Sequence, residues 1–597
     1  MTLSKKEFAV LSALTKDSSA TQREIAAISG LSLGTVNSTR KSLTTAGLID
    51  EAGITPAGQE ALKPYRIENA VIMAAGLSSR FVPISYEKPK GLLHVRGEVL
   101  IERQIEQLMA AGITDITVVV GYKGEYFLYL EDKYGVSIAF NREYASRNNN
   151  SSLKAVANRL GNTYICSSDN YFTENPFEQY AWKAFYSAAY SEGRTNEWCI
   201  KVDARDRITS VTIGGSDAWY MVGHVYFDRA FSKTFVEILN EEYDLPETAD
   251  KLWEDIYLDH IDELEMLIKR YDAGIIQEFD SLDELRAFDP LFLENLDSEV
   301  FDNIVNVLGC TKAEIHDVYP LKQGLTNLSC HFSTHDGEYV YRHPGIGTEN
   351  LIDRKAEAAA QRMARELGID DTFIHEDAER GWKISRFIPN CRQLDPHDPE
   401  QVARAMKMAR TLHQIEVESD RAFDFFLEGK RYESILLEKG PIDVPGYWEM
   451  AEKARRLHEH AEADGAPKCL THNDFFYLNF LIDESGKFYL IDWEYAGRGD
   501  YANDFGTFTV CCELSEEEAR AALDAYFGRP ATFEEMRHNF SFVALAGWCW
   551  YVWSLVKEAE GDFVGEWLYI YYRYAKDYMD KVLNWYENEN ETEEEDR

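Results

Sequence analysis

The sequence predicts a multidomain protein of three folded units: a small all-α unit at the N-terminus, an α/β unit with a mainly parallel sheet, and an α+β unit of two lobes. Three observations lead there. At 597 residues the chain exceeds what one hydrophobic core supports. Residues 71–140 alternate short apolar strands with amphipathic helices, the pattern of a parallel sheet covered by helices. An acid-rich stretch at 277–300 then separates this alternation from a second half with its own strands, hairpin and long helices. The expected boundaries are 1–66, 67–290 and 291–586, with an acidic tail at 587–597.

Taking the units in order, residues 4–16 and 21–29 read as helices, and Ser32 caps a third running to about Ala46. Leu48-Ile49, a turn through Gly53, and Ile54-Thr55 form a two-stranded wing, and Pro56 starts a closing helix. The pattern resembles a winged helix-turn-helix domain. In such a domain Thr35, Ser38, Arg40 and Lys41 on the third helix would contact phosphates and base edges of DNA. Net charge is consistent with that division of labour: −41 overall, but +2 within residues 1–66. The rest of the molecule is too acidic for nonspecific binding to nucleic acid or anionic membrane.

The strand Val71-Ile72-Met73 breaks at Ala75-Gly76 into a small-residue loop whose N–H groups can turn toward an anion. Ser79, Arg80 and Lys90 follow, so two cations can converge on a polyphosphate. No G-x-x-x-x-G-K-[ST] occurs, which excludes a Walker loop. Strand Tyr164-Ile165-Cys166 delivers Asp169 to the same sheet edge, where a hard carboxylate oxygen suits Mg²⁺. The pattern A-A-G-x-x-S-R-F-x-P-x-x-x-x-x-P-K-x-L resembles the nucleoside-triphosphate transferases. With Asn148-Asn149, Ser168–Tyr171, Trp198 and Leu252–Asp255, residues 68–285 resemble bacterial CTP:phosphocholine cytidylyltransferases. That resemblance implies a trimethylammonium pocket from Tyr171, Trp198, Trp253 and Glu254. A quaternary ammonium donates no hydrogen bond, so only π faces and carboxylates recognise it.

In the second half, the loop LKQGLTN holds Gly324 and Thr326, and a strand ends at Arg342, fifteen residues before Glu357 on a helical pattern. Kinase-like folds use such a cation–carboxylate pair to position nucleotide phosphates. His472-x-Asp474-x4-Asn479 has catalytic-loop spacing, and Asp492 follows a hairpin as the principal metal ligand beside Asn479. Asp474 would accept or orient the substrate hydroxyl proton. The set resembles the choline kinase and aminoglycoside phosphotransferase group. Trp550 and Trp553, three apart, and Tyr569 on the last helix resemble the aromatic site where choline kinases receive a cationic head.

Nine cysteines, an odd number with no C-x-x-C, indicate neither a disulfide framework nor a cysteine zinc site, and point to a reducing cytoplasm. The first residues lack a signal-peptide core. The longest uncharged run, Phe540 to Val556, carries its tryptophans centrally, as a buried, ligand-lining helix would, so no membrane insertion is expected. The expectation is a bifunctional enzyme: choline plus ATP gives phosphocholine, and phosphocholine plus CTP gives CDP-choline and pyrophosphate, both with Mg²⁺. The N-terminal unit adds DNA as a partner, with a homodimer as the binding form. The alternatives are ethanolamine or an aminophosphonate as substrate, and a regulator that senses choline metabolites.

Overall fold

The computed structural model describes residues 2–321, 327–344, 352–415, 421–561 and 563–587. The chain forms two compact units, Met1–Pro320 and Leu321–Arg597. The first therefore continues past the 290/291 junction expected from composition. The helices Leu282–Phe288 and Glu299–Leu308 in that stretch belong to it.

Residues 5–62 form the winged arrangement, three helices followed by the wing and the closing helix Pro56–Leu62. Ser4 and Glu7 make a reciprocal cap on Lys5–Lys16, Thr21 and Glu24 do so on Gln22–Ser29, and Ser32 caps Leu33–Thr45. Strands Ile49–Asp50 and Gly53–Ile54 pair as the wing. This unit is docked, not tethered. Tyr65 stacks on Trp182 at 5.1 Å, Phe8 packs on both rings, Lys16 pairs with Glu178 at 2.9 Å, and the Asn162 amide donates to the carbonyls of Pro64 and Arg66.

The central sheet runs in the order Leu267–Arg270, Phe185–Val202, Ile208–Phe227, Thr163–Ser167, Asn69–Ala74, Ile116–Val120, Ser137–Phe140. Its last four strands are parallel. The long hairpin of 185–202 and 208–227 joins antiparallel to Thr163–Ser167, so the sheet is mixed. Val71, Ile72, Val118, Val119 and Ile165 are buried on both faces, which explains their unbroken apolar runs. The carboxyl ends of Asn69–Ala74 and Thr163–Ser167 lie side by side, with Met73 opposite Ser167. The loops bearing Gly76 and Asp169 consequently leave the sheet together.

In the second unit, Gly337–Pro344 pairs with Asn327–Thr334 on one side and Lys383–Arg386 on the other, and Arg354–Glu366 packs nearby. A mostly helical region follows, centred on Phe533–Glu560. That helix is long and apolar enough to cross a membrane by composition, yet 94% of its apolar window is buried inside the unit. It is the core around which Phe425–Lys439, Ala502–Cys511 and Glu566–Glu587 pack.

At the start of the core helix, His538 donates toward Asp464 at 2.9 Å and Asp500 at 3.0 Å. Burial works against its charge, but the two carboxylates outweigh it and raise its pKa to about 9. A histidine raised from about 6.5 stabilises the fold fully below 6.5, and that contribution disappears as pH rises through 9. We expect the stability difference between the wild-type chain and His538→Gln to shrink by up to about 3 kcal/mol between pH 6 and pH 9.5. Urea unfolding at a series of pH values checks this; a difference independent of pH would remove the ion-pair assignment.

Candidate active sites

In the first unit, a cavity of 100 Å³ is lined by Gly76, Ser78, Lys90, Gly91, Ser168 and Asp169. A Cβ added at Gly76 would meet nothing within 4 Å, so the glycine leaves room for an incoming group and answers no packing need of the fold. Ala75 is buried behind it, and Ser79 faces solvent while Ser78 lines the cavity. Lys90 is buried, with its ammonium donating to Asp169 Oδ2 at 2.7 Å and to the Phe279 carbonyl. Burial opposes the Asp169 charge, yet Lys90 outweighs it and holds the carboxyl below its ordinary range. Asp169 Oδ1 is buried with no hydrogen-bond partner among the described residues. That free, ionised oxygen fits a divalent cation.

Arg80 meets the segment next to Phe279: its exposed guanidinium pairs with Asp280 at 2.7 Å. Lys90 and Arg80 thus both hold the segment Glu278-Phe279-Asp280, which composition reads as linker. Glu278 is close enough to Asp169 for the two charges to interact, and Glu197 faces Asp280 and Arg80 in the same way. The missed signal is Glu-x-Asp directly after a short strand, Ile276–Gln277, paired with Tyr171-Phe172.

The expected ammonium pocket is only partly assembled. Glu254 accepts from the Tyr186 hydroxyl at 3.2 Å and from the Asn149 amide at 3.1 Å, and burial lifts its pKa to about 7. Trp198 is half-buried beside the apolar cluster that contains Tyr186. Trp253 is not a wall of the pocket. It is 1% exposed, stacked on Tyr186 at 5.9 Å and edged by Phe227 and Phe235, because its helix turns that face into the core. Tyr171 is also removed: its ring lies under Arg103 at 4.5 Å and against Phe288, and its hydroxyl bonds Glu98. Strand pairing with Gln277 sets that orientation.

In the second unit, Arg342 is buried among carboxylates: Glu357 at 2.6 Å, Glu494 at 3.1 Å and Asp492 at 3.5 Å. Burial opposes the Glu357 charge, but Arg342, Lys383 and Arg354 hold it well below the usual range. Arg354, unanticipated from spacing, pairs with Glu357 at 3.0 Å and Glu494 at 2.9 Å. Glu357, Asp492 and Glu494 present oxygens within 4.8 Å of one another, a donor set suited to a hard cation. Asp492 sits at φ +67° and Asn473 at the same value, strained backbone of the kind found at functional loops. Gly324 and Thr326 lie outside the described residues.

Asp474 is pushed up to about 8, first by burial and then by Asp492, and its Oδ2 accepts from the Asn479 amide at 2.7 Å. The loop is fastened from below by a residue the motif does not contain. Asp504 accepts from the backbone N–H groups of His472 and Asn473 at 3.1 and 2.7 Å, and from His413 at 2.9 Å. The His472 ring bonds the Ile491 carbonyl at 3.0 Å, which brings Asp492 beside Asp474.

Trp550 and Trp553 cross at right angles, 6.1 Å apart, and Trp550 meets Tyr495 edge-on at 5.3 Å. Both indole N–H groups are buried without partners among the described residues. Tyr569 does not join them. It is 63% exposed, while Tyr571, two positions on, is buried and close enough to Asp474 and Tyr495 to feel their charge. Trp567 stacks on Tyr571 at 5.7 Å and lines a 580 Å³ cavity with Tyr477, Cys512, Glu513, Glu566 and Ile570.

On the N-terminal unit, Lys41 and Ser38 are exposed, Thr35 is half-buried and its hydroxyl is within 2.8 Å of Ser32 Oγ, and Arg40 donates to the Ala20 carbonyl at 3.4 Å. Arg40 thus braces the fold as well as facing outward.

Family models match at three places: a winged helix-turn-helix DNA-binding domain at residues 3–50, a MobA-like NTP transferase domain at 70–210, and the phosphotransferase enzyme family at 317–538. A choline-phosphate cytidylyltransferase of Streptococcus pneumoniae is 33% identical over 222 residues, 37% of this chain and 97% of that protein. A 2-aminoethylphosphonate cytidylyltransferase of Lancefieldella rimae is 37% identical over 225 residues, 37% of this chain and 92% of that protein. The crystal structure of choline kinase LicA from Streptococcus pneumoniae is 25% identical, covering 47% of this chain and 97% of that one, with a TM-score of 0.42.

Proposed function

Through its first unit the chain belongs to the family of the choline-phosphate and 2-aminoethylphosphonate cytidylyltransferases, and from that premise we propose a bifunctional enzyme that phosphorylates choline with ATP and transfers CMP from CTP to the phosphocholine formed. The observation that carries it is the coexistence of two separate polar clusters, Lys90–Asp169 and Asp474–Asn479–Asp492, each on its own unit. The product of the second is a substrate for the first.

In the transferase site, Gly76 and Ser78 leave a cradle for the triphosphate, and Lys90 and Arg80 offset charge on the α-phosphate and departing pyrophosphate. Mg²⁺ on Asp169 would supply further charge neutralisation there. Glu254, oriented by Asn149 and Tyr186, faces the cationic end of the acceptor. In the kinase site Asp474 takes the acceptor hydroxyl proton, while Asn479 and Asp492 would hold Mg²⁺ against the ATP phosphates. Arg342 must then yield Asp492 to the cation and remain paired with Glu357.

Incubation of the purified chain with choline, ATP, CTP and Mg²⁺, with products resolved by mass, tests the proposal; formation of neither phosphocholine nor CDP-choline would overturn it. Trp553→Ala is expected to raise the choline KM roughly thirtyfold, the equivalent of about 2 kcal/mol of cation–π attraction, with the ATP KM little changed. Unchanged choline kinetics would return Trp553 to core packing.

A second reading of the transferase acceptor rests on a specific observation. With Tyr171 and Trp253 in the core, the acceptor end is lined more by carboxylate and hydroxyl groups than by open aromatic faces, which suits a primary ammonium. Competing phosphocholine, phosphoethanolamine and 2-aminoethylphosphonate at equal concentration separates these readings by kcat/KM.

We further read residues 1–66 as binding duplex DNA as a dimer. Supporting this, the third helix and wing are free of the docking face, which uses Phe8, Lys16 and Tyr65. Binding of an upstream fragment should weaken several-fold in Lys41→Ala and fall with salt. A mobility shift reports it, and equal binding by the variant would leave the unit as a docking module.

A further inference from the structure

The structure assigns a transition-metal site to Asp424, His458 and Glu462, on the second unit. One ligand atom from each lies within 4.8 Å of the others. His458 and Glu462 are four apart on Tyr447–Ala463, which puts both on one helix face. Asp424 precedes the helix Phe425–Lys439 and caps it with Oδ1, accepting from Leu427 N–H at 2.9 Å. Its Oδ2 is thereby turned toward His458 Nδ1, 3.6 Å away.

Two features separate this cluster from a solvated patch of acid. The first is preorganisation. The imidazole stacks on Phe426 at 4.8 Å, and Phe426 stacks in turn on buried Trp548, so the ring plane is fixed before any ligand arrives. The second is partial burial: the His458 and Asp424 side chains are 19% and 21% exposed, while Glu462, 43% exposed, closes the cluster at the solvent edge. The fixed cap and the fixed ring lose little entropy on binding, so Glu462 is the one ligand side chain of the three to be immobilised.

The donor chemistry selects the cation. One imidazole nitrogen with two carboxylate oxygens is a borderline set, suited to Zn²⁺ or Co²⁺ and poor for Mg²⁺, which prefers oxygen alone. The two carboxylates balance a divalent charge. Glu462 also pairs with Lys468 at 2.5 Å, and Lys468 has a second partner in Asp500 at 3.4 Å, to which it can turn when Glu462 binds metal. The bound ion would clip the start of Phe425–Lys439 to Tyr447–Ala463. Phe425 itself meets Trp550 edge-on at 6.0 Å, so the clip buttresses the aromatic cluster of the kinase unit.

The test uses the full-length, tag-free chain, stripped with chelator and held in excess Mg²⁺ so that the catalytic carboxylates are occupied. Co²⁺ titration is expected to fill one nitrogen-ligated equivalent, seen as a visible absorption band, and Zn²⁺ to displace it and raise the Tm. His458→Gln should bind about a hundredfold more weakly and lose the band. Glu462→Gln, which leaves the Phe426 stack intact, should weaken binding while keeping nitrogen ligation. Choline kinase activity without Zn²⁺ reports that both variants are folded. Equal Co²⁺ stoichiometry, absorption and Tm response in wild type and both variants, or no band in wild type, would overturn the assignment.

Discussion

Asp169→Asn is expected to lower CMP transfer by about a thousandfold while phosphocholine synthesis continues at the wild-type rate. The side chain has two separate tasks. Oδ2 receives the Lys90 ammonium at 2.7 Å, and Oδ1 is the buried oxygen with no partner among the described residues. An amide keeps an acceptor for Lys90 but not its counter-charge, so the buried ammonium is held less firmly as well. The ionised oxygen for a cation is lost. The measurement is CDP-choline formed from supplied phosphocholine and CTP, alongside choline phosphorylation by the same preparation. Retention of CMP transfer within tenfold would exclude Asp169 as the cation-holding carboxylate, and loss of both activities would exclude independent sites.

The converse substitution, Asp474→Ala, should depress choline phosphorylation at least about a thousandfold and leave CMP transfer intact. Asp474 is the proton acceptor of the proposed kinase reaction, and it is held by the Asn479 amide at 2.7 Å on a loop that Asp504 fixes through two backbone N–H groups. Asp504→Asn provides a graded comparison. It touches no substrate, so it should lower kcat through loop position with the ATP KM little changed, and by less than removal of Asp474. ATP consumption with and without choline reads both variants. An Asp474→Ala enzyme that keeps its choline kcat would put the proton acceptor elsewhere in the loop.

The parts of these sites that local spacing specifies were legible in the sequence. Gly76, Lys90 and Asp169 share one cavity because strands Asn69–Ala74 and Thr163–Ser167 are parallel neighbours, and apolar runs followed by small polar loops announce that arrangement. Arg342 meets Glu357, and Asp474 meets Asn479, because strand, helix and loop geometry fix the reach of each pair. The winged unit was equally plain, since caps at Ser4, Thr21 and Ser32 and Pro56 at the first position of the closing helix mark its helix starts.

What failed were judgements about which way a ring points. Trp253 and Tyr171, expected as pocket walls, are packed in the core; Tyr569, expected at the choline site, is exposed, and Tyr571 is buried near Asp474. Aromatic side chains satisfy a core and a cation equally well, and one residue of helix phase or strand alternation separates the two. Glu278, Asp280, Arg354 and Asp504 were missed for a different reason: each has a partner distant in sequence, namely Asp169, Arg80, Glu494 and the backbone of His472-Asn473, and charged stretches read as solvated surface until folding brings that partner up.

The sequence by itself determined the helices of the winged unit, the strands whose ends bring Gly76 and Asp169 together, and the spacing of Asp474 and Asn479, because strand and helix periodicity and short-range spacing are local properties of the chain. Only the tertiary structure decided which aromatic faces are open, that the N-terminal unit is docked through Tyr65 and Trp182, and which distant carboxylates complete each site. Those depend on burial and on charge pairing between segments a hundred or more residues apart, as with Arg342 and Glu494, and such contacts exist only once the chain has folded.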